Sequence, residues 1–318
     1  MANDLVTIFG AAGQLGRAFV ERLAGKGYRI RAASRYPDEA LFLKPLGDVG
    51  QVQTTYADLS KPDTVTRAVA GANIVINCVG ILSEGRGGQK FSSLQAEGPG
   101  IIGRAAKAAG VKTLIHISAI GAAENSPAKY ARSKWAGEVA VQKAFPGAII
   151  FRPSIIFGPD DSFFNAFAKM AKNPLAPLPI VGPKVKFQPV YVEDIAAAVA
   201  LAVTTPQKLA GKIFELGGPR VYTFRELLDY MLDVIKVKKL ILPLPFFIAG
   251  IIGGVFQTLA RILPLTPPLT ADQVKLLKRD NVVGAKAKTF ADLGITPTPL
   301  EAVVPGYLAY FRTKGQFS

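Results

Sequence analysis

An α/β protein built on a doubly wound parallel sheet, with a smaller α+β part at its C-terminal end, is the fold class this sequence predicts. Three observations predict it: short apolar runs alternate with amphipathic helical patterns over the first half of the chain, a glycine-rich turn joins the first run to the first helix, and that alternation loosens beyond about residue 155. The predicted strands are 5–9, 28–33, 51–56, 73–79, 112–117 and 148–152, and the predicted helices 14–25, 62–70, 94–109 and 130–144. Past residue 155, Pro174, Pro177, Pro179 and Pro183 punctuate a loop, and 190–204 reads as a short strand running into an alanine-rich helix. The expected division is therefore a nucleotide-binding domain over 1–155 and a smaller C-terminal region over 156–318.

The first strand, Leu5 to Phe9, leads into Gly10-Ala11-Ala12-Gly13-Gln14-Leu15-Gly16 and then a helix. Glycines at this spacing let the backbone turn tightly, admit a pyrophosphate without a Cβ in the way and bring helix onto strand, while the helix start presents free N–H groups to phosphate. This is a Rossmann-like mononucleotide unit, with Gly10, Ala12, Gly13, Gln14, Leu15 and Gly16 at the phosphates. No acidic residue lies between Glu21 and Asp38; Ser34-Arg35 follows the second strand instead. A carboxylate there would accept from the ribose 2′-hydroxyl, whereas a guanidinium pairs with a 2′-phosphate, so NADP(H) is expected over NAD(H). Asp58-Leu59, past the third strand, is within reach of the adenine edge; Asp58 is also placed to cap the helix that begins after Pro62.

Tyr130 and Lys134 stand four apart on one helix face, and Ser118 ends the fifth strand. A lysine ammonium beside a phenol favours the phenolate and makes tyrosine a general acid/base, with the serine hydroxyl orienting a carbonyl.

Composition bounds the other classes. Of 318 residues, 38 are Lys or Arg and 23 Asp or Glu, a net charge of +15, which favours a polyanionic neighbour. Anionic lipid, acidic protein and nucleic acid all qualify, but the basic residues are scattered, without a helix-turn-helix pattern or aromatic-basic interleaving, so nucleic acid is not expected. Cys78 is the one cysteine and His116 the one histidine, which excludes internal disulfides and histidine-rich metal sites, and no metal is expected. Both read as packed residues of the sheet. Trp135 points away from the Tyr130–Lys134 face, and Arg86 with Lys90 sits in a glycine-rich loop that reads as a mobile loop, with an active-site lid or a partner contact as its functional alternatives. The chain runs directly into its first strand without a basic and apolar leader, so a cytosol-facing protein is expected.

The segment 240–269 is the most apolar. Residues 246–260 carry no formal charge, with Lys236, Lys238 and Lys239 before them, Arg261 after, and Pro243, Pro245 and Pro264 as boundaries. A bilayer span needs about 20 apolar residues, so this run is expected at an interface rather than across a membrane. Lysines beside an apolar wedge suit an anionic surface, and Gly250, Gly253 and Gly254 permit close approach of another helix. A helix covering the protein's own second region is the other reading.

Taken together, Gly10/Gly13/Gly16, Cys78-Val79-Gly80, Ser118, Tyr130 with Lys134, Arg152-Pro153-Ser154 and Phe157-Gly158 resemble the short-chain dehydrogenase/reductase superfamily in its extended and atypical branches, over roughly the first 220 residues. The resemblance implies that Lys134 holds the nicotinamide ribose, that Tyr130 is the acid/base, and that Val79, Gly80, Pro153, Ser154 and Ile156 border the cofactor. One departure is Gln95-Ala96-Glu97-Gly98-Pro99, where many extended members carry an asparagine that supports a proton relay; this puts turnover in doubt more than binding. The stretches 145–150, 155–161, Phe163-Phe164-Asn165 and 188–194 are similar to the dehydrogenase-like accessory subunits of respiratory complex I. That narrower resemblance implies a structural NADPH off the electron path, partners among the other complex I subunits, Ser118, Tyr130 and Lys134 as a vestigial site, and a peripheral position on the cytoplasmic face of a bacterial inner membrane, or on the matrix side if organellar. The alternative is a free NADP(H)-dependent reductase or epimerase/dehydratase acting on a small carbonyl or sugar-nucleotide substrate.

Overall fold

The computed structural model describes residues 4–85, 88–262 and 269–312. Arg86 of the candidate lid and Pro264 of the apolar segment lie outside them. Strand β1 (Leu5–Phe9) feeds helix α1 (Gln14–Ala24), and β2 (Arg29–Ser34), β3 (Val52–Tyr56), α2 (Pro62–Val69), β4 (Ile74–Asn77), α3 (Gly98–Ala108), β5 (Thr113–Ile117), α4 (Lys129–Ala144) and β6 (Ile149–Pro153) follow. These match the expected elements to within a few residues. The helix expected over 94–109 differs, because a π-helical stretch, Ser92–Glu97, precedes α3.

After β6 come β7 (Ile156–Phe157), α5 (Phe164–Ala171), β8 (Leu178–Val181), β9 (Lys186–Phe187), β10 (Val190–Tyr191), α6 (Val192–Thr204), α7 (Pro206–Leu209) and β11 (Ile213–Leu216). Then follow β12 (Tyr222–Thr223), α8 (Phe224–Ile235), β13 (Ile241–Leu244), α9 (Phe246–Ile262), α10 (Ala271–Leu276) and α11 (Leu300–Leu308).

Seven strands form one parallel sheet in the order β11-β6-β5-β4-β1-β2-β3. The period-2 pattern explains how both faces are covered: Val6, Ile8, Ile74, Ile76, Ile115 and Ile117 pack with α1 and α6, while Phe9, Val75 and Leu114 pack with α2, α3 and α4. Strand β11 and helix α6 come from beyond the expected division at 155, yet both belong to this layered unit.

The remaining chain has its own core. Phe157, Phe164, Phe187 and Phe224 pack with Leu227, Leu228, Met231 and Val304 between α5, α8 and α11. Helix α8 is started by a capping box, in which Thr223 Oγ1 accepts from Glu226 N and Glu226 accepts from Thr223 N.

The apolar segment 240–269 does not form one continuous element. Ile241–Leu244 is strand β13, paired parallel to β8, and α9 follows it. Helix α9 buries Ala249 and Gly253 against the start of α10, and leaves Phe247, Ile251 and Val255 at 69%, 65% and 55% exposure. Those three are spaced i, i+4, i+8 and share a face. Among the described residues no helix is long and apolar enough to cross a membrane.

Candidate functional site

The glycine-rich turn sits where β1 leaves the middle of the sheet, at the carboxyl edge where the strand order reverses. Gly10 has φ +81°, and a Cβ there would lie 3.0 Å from Val79 N; at Gly16 a Cβ would lie 2.3 Å from Gly10 O, so helix and turn touch through bare backbone. Ala12 and Gly13 are exposed, and the nearest atom to a Cβ at Gly13 is Gly10 O at 3.4 Å. Helix α1 begins without a side-chain cap and without an acidic residue in its first turn, which leaves the amides of Gln14, Leu15 and Gly16 without intrahelical acceptors. Gln14 Nε2 is buried and has no partner among the described residues. A bare, uncapped, open turn of this kind fits a pyrophosphate, and these residues are the ones placed to hold it.

At the ends of β2 and β3, Ser34 Oγ accepts from Tyr36 N at 3.1 Å, and the Arg35 guanidinium lies 5.7 Å from the Tyr36 ring centroid. Asp58 accepts from Ser60 N and Ser60 Oγ, forming its own turn rather than capping α2 directly. Although burial pushes its carboxyl up, the Ser60 bonds and the charges of Arg35 and Lys61 outweigh that and hold it below its ordinary value. The side chain of Leu59 is buried under α3, where a Cβ on Gly98 would lie 2.7 Å from its Cδ1.

Lys134 reaches the last carbonyl of β5, one residue before Ser118, and its Nζ also faces the Tyr130 ring. Lys134 is 5% exposed; its Nζ donates to Ile117 O at 3.3 Å and lies 3.2 Å from where a Cβ on Gly80 would be. Burial pulls the lysine down to about 8 against the opposing pull of Glu138 and Cys78. The expectation that it would lower the phenol is corrected by this geometry. Nζ lies 6.0 Å from the Tyr130 ring centroid, and burial pushes Tyr130 up to about 12. The half-buried ring is packed edge-on to Phe91, 5.9 Å away. Ser118 Oγ is buried and without a partner among the described residues, as a hydroxyl awaiting a ligand oxygen would be.

The neighbouring singletons are structural. Burial pushes Cys78 up to about 12, and its thiol donates to Phe9 O at 3.0 Å. Burial likewise holds His116 neutral, down to about 3, with Nδ1 3.1 Å from Asn77 Nδ2. Val79 N donates to Asn77 Oδ1 at 3.1 Å. Among the described residues no group of His, Cys, Asp and Glu is arranged to hold a metal ion.

Within Gln95-Ala96-Glu97-Gly98-Pro99, the stretch that departs from the family's asparagine, Gln95 is buried in the π-helical segment. Its Oε1 accepts from Ile81 N at 2.7 Å and its Nε2 donates to Ser133 Oγ at 2.9 Å. Its amide thus locks the loop after β4 onto α4. Pro153 ends β6, Ile156 is half-buried in β7, and the Ser154 hydroxyl lies 2.7 Å from Asn281 Oδ1, to which it donates.

Three features escape sequence reasoning. Asn281 grips Ser154 across 127 residues. Asp272 accepts from Lys129 N at 2.7 Å and Tyr130 N at 2.9 Å, at the start of α4. Arg152 pairs with buried Glu138 through Nε (2.8 Å) and Nη2 (2.6 Å), and with Glu215 through Nη1 (3.3 Å). No local pattern announces these pairings; Thr270-x-x-Gln273, the capping box that sets Asp272 in place, is the nearest thing to a signal.

A glycine-turned parallel sheet with a Ser-Tyr-Lys corner defines a nucleotide-binding α/β protein, and the chain belongs to the NAD dependent epimerase/dehydratase family, whose model matches residues 6–217. Within that frame it is similar to the mitochondrial NADH dehydrogenase (ubiquinone) 1 alpha subcomplex subunit 9 of Rattus norvegicus, 36% identical over 95% of this chain and 78% of that protein. It is also similar to a ceramide reductase of Caulobacter vibrioides, 33% identical over 77% of this chain and 74% of that one. Among solved structures, the NADPH-dependent quinone oxidoreductase QOR2 of Escherichia coli, complexed with NADPH, shares the fold with a TM-score of 0.69 at 23% identity, over 95% of this chain and 99% of that one.

Proposed function

We propose that this chain is an accessory subunit of respiratory complex I that binds NADPH as a structural cofactor and contributes to assembly and stability where the peripheral arm meets the membrane. The observation that carries this reading is the extent of the match to the rat subunit. It spans 95% of the chain, well beyond the 6–217 of the nucleotide-binding family, and so takes in most of the C-terminal region as well. The bare turn at Gly10, Gly13 and Gly16 supports a dinucleotide, and Arg35 supports a 2′-phosphate and hence NADPH over NADH. Helix α9 supports the docking role. Its Phe247, Ile251 and Val255 are exposed, Lys278 Nζ lies 5.8 Å from the Phe246 ring centroid at its start, and Lys236 and Lys238, also exposed, precede it in the chain. That combination suits a membrane surface or a hydrophobic groove of a membrane subunit, on the cytoplasmic face of a bacterial inner membrane or the matrix side in mitochondria.

Native electrophoresis of solubilised membranes, with mass spectrometry of the nucleotide released from the purified chain, tests this. The expected result is co-migration with NADH:quinone oxidoreductase and recovery of NADPH. A chain found only free of that complex, or one carrying NAD or no nucleotide, overturns it. The second reading, a free reductase or epimerase/dehydratase, is favoured by the buried Ser118 hydroxyl, which has no partner among the described residues and follows directly on the Ile117 carbonyl that Lys134 Nζ reaches. It requires carbonyl-dependent NADPH oxidation that Tyr130→Phe abolishes, whereas the structural role predicts assembly undisturbed by that change.

A further inference from the structure

We infer that Asp272 is a positioning residue for the helix that carries Tyr130 and Lys134, and that through it the seating of α9 and the occupancy of the nucleotide crevice are energetically linked. The inference rests on the nucleotide-binding and docking readings above and adds a physical connection between them. Helix α4 begins after Ala128, which is extended and has no side chain able to cap, and its first turn contains no acidic residue. Its leading amides have no local acceptor, and a carboxylate 143 and 142 residues away supplies one: Asp272 Oδ1 accepts from Lys129 N at 2.7 Å and Oδ2 from Tyr130 N at 2.9 Å. A negative charge at a helix N-terminus satisfies the orphan donors and opposes the positive end of the macrodipole. Asp272 is buried, so water is a poor substitute for it.

Asp272 has little freedom of its own. Thr270 and Gln273 cap each other, with Thr270 N donating to Gln273 Oε1 at 2.9 Å and Gln273 N to Thr270 Oγ1 at 3.1 Å. Helix α9 presses directly on that turn: a Cβ on Gly253 would lie 2.7 Å from both Ala271 N and Thr270 C, and Ala249 beside it is fully buried. Displacing α9 therefore moves Thr270 and Ala271, the two residues that lead into Asp272. A few residues further on, Asn281 accepts from Ser154 Oγ at 2.7 Å, and its Nδ2 donates to Ile120 O at 3.4 Å. One short stretch of chain thus holds the start of the Tyr130–Lys134 helix at one end, and the Ser154 strand end with the loop after Ser118 at the other. If a docked α9 holds that stretch in place, nucleotide binds more tightly. By reciprocity, bound nucleotide strengthens docking by the same factor.

The test uses the full chain and two readouts, amide hydrogen exchange over 129–132 and the NADPH dissociation constant from fluorescence titration. Asp272→Ala is expected to raise exchange at Lys129 and Tyr130 about tenfold and to weaken NADPH several-fold, with Asp272→Asn, which keeps an acceptor, in between. Gly253→Ala, which touches neither α4 nor the crevice, is expected to move both readouts in the same direction while the β5 amides over 113–117 stay protected. A merely structural role would raise exchange in β5 along with α4, and that result overturns the inference. So does a Gly253→Ala protein unchanged at 129–132. If Gly253→Ala does not fold, Ala249→Gly, which loosens the same buried face of α9, replaces it: raised exchange at 129–132 supports the link and unchanged exchange overturns it. Should the wild-type chain bind no NADPH, the functional proposal fails, and exchange at 129–132 still decides whether α9 and α4 are coupled.

Discussion

Gly13 and Gly16 lie three residues apart, and substituting them separates binding from folding. A Cβ at Gly16 would sit 2.3 Å from Gly10 O, so Gly16→Ala must displace the turn or the helix and is expected to lower stability by about 1–3 kcal/mol. At Gly13 a Cβ meets nothing nearer than 3.4 Å, so Gly13→Ala is expected to leave the thermal midpoint almost unchanged and, on the proposed function, to weaken nucleotide binding by filling the space above the turn. Thermal unfolding and NADPH titration of the two variants check this pair. Lys134 makes the opposite trade. Its pKa falls from an ordinary 10.5 to about 8 in the folded chain because it is buried, so the unfolded state binds the extra proton between those values. Stability therefore rises as pH climbs from about 8 to 10.5 and is lowest below 8, by on the order of 3 kcal/mol. Lys134→Met is expected to stabilise the nucleotide-free protein most below pH 8, with an advantage that shrinks toward pH 10.5, and to weaken nucleotide binding. Denaturant unfolding across that range is the measurement, and an advantage that grows with pH would sink the argument. At this scale the glycines, Ser118, Tyr130 and Lys134 were legible, because spacing on a strand end or a helix determines where a side chain emerges. The raised phenol of Tyr130 was not, because burial depends on what packs above it.

The strands of the first unit could be read from periodicity, since residues buried on both faces leave apolar runs that turn residues interrupt. Short strands from beyond residue 155, such as β11 (Ile213–Leu216), were not read, because four residues carry no usable period. Periodicity places a plain helix from residue 94, where the chain has the end of a π-helical stretch, Ser92–Glu97; Gly137 in α4 packs against that stretch so closely that a Cβ there would fall 2.1 Å from Gln95 O. Helix α9 was legible as an interfacial candidate from its uncharged length, but which face stays outside was settled by α10 occupying the Ala249–Gly253 side. Phe247, Ile251 and Val255 are all more than half exposed, so Ile251→Asp with Val255→Asp is expected to leave the circular dichroism spectrum and thermal midpoint within experimental error. The same pair should release the chain from membranes in a flotation assay. Retention on membranes would argue that this face docks nothing.

Across the whole molecule, the sheet unit and the C-terminal region are joined by polar contacts at the site's edge: Ser154 to Asn281, and Glu215 Oε2 to Gly284 N at 2.8 Å. A ligand that binds only the folded form stabilises it by mass action, about 2.7 kcal/mol at a hundredfold excess over its dissociation constant. For a chain of this size that corresponds to a rise of about 5 °C in the thermal midpoint, to be read by calorimetry with NADPH and NADH in parallel. A larger rise with NADH at equal concentration would remove Arg35 as the basis of the phosphate preference. The amino-acid sequence by itself determined the parallel α/β unit, the bare glycine-rich turn after β1 and the placing of Tyr130 and Lys134 on one helix face, because periodicity, glycine spacing and helix-face geometry are local properties of a chain. Only the tertiary structure decided that Asp272 caps α4, that Asn281 holds Ser154, that Glu138 and Glu215 flank Arg152, and which face of α9 is left bare. Those outcomes depend on which segments, more than a hundred residues apart in two of these pairs, satisfy one another's buried polar groups when the two regions close together.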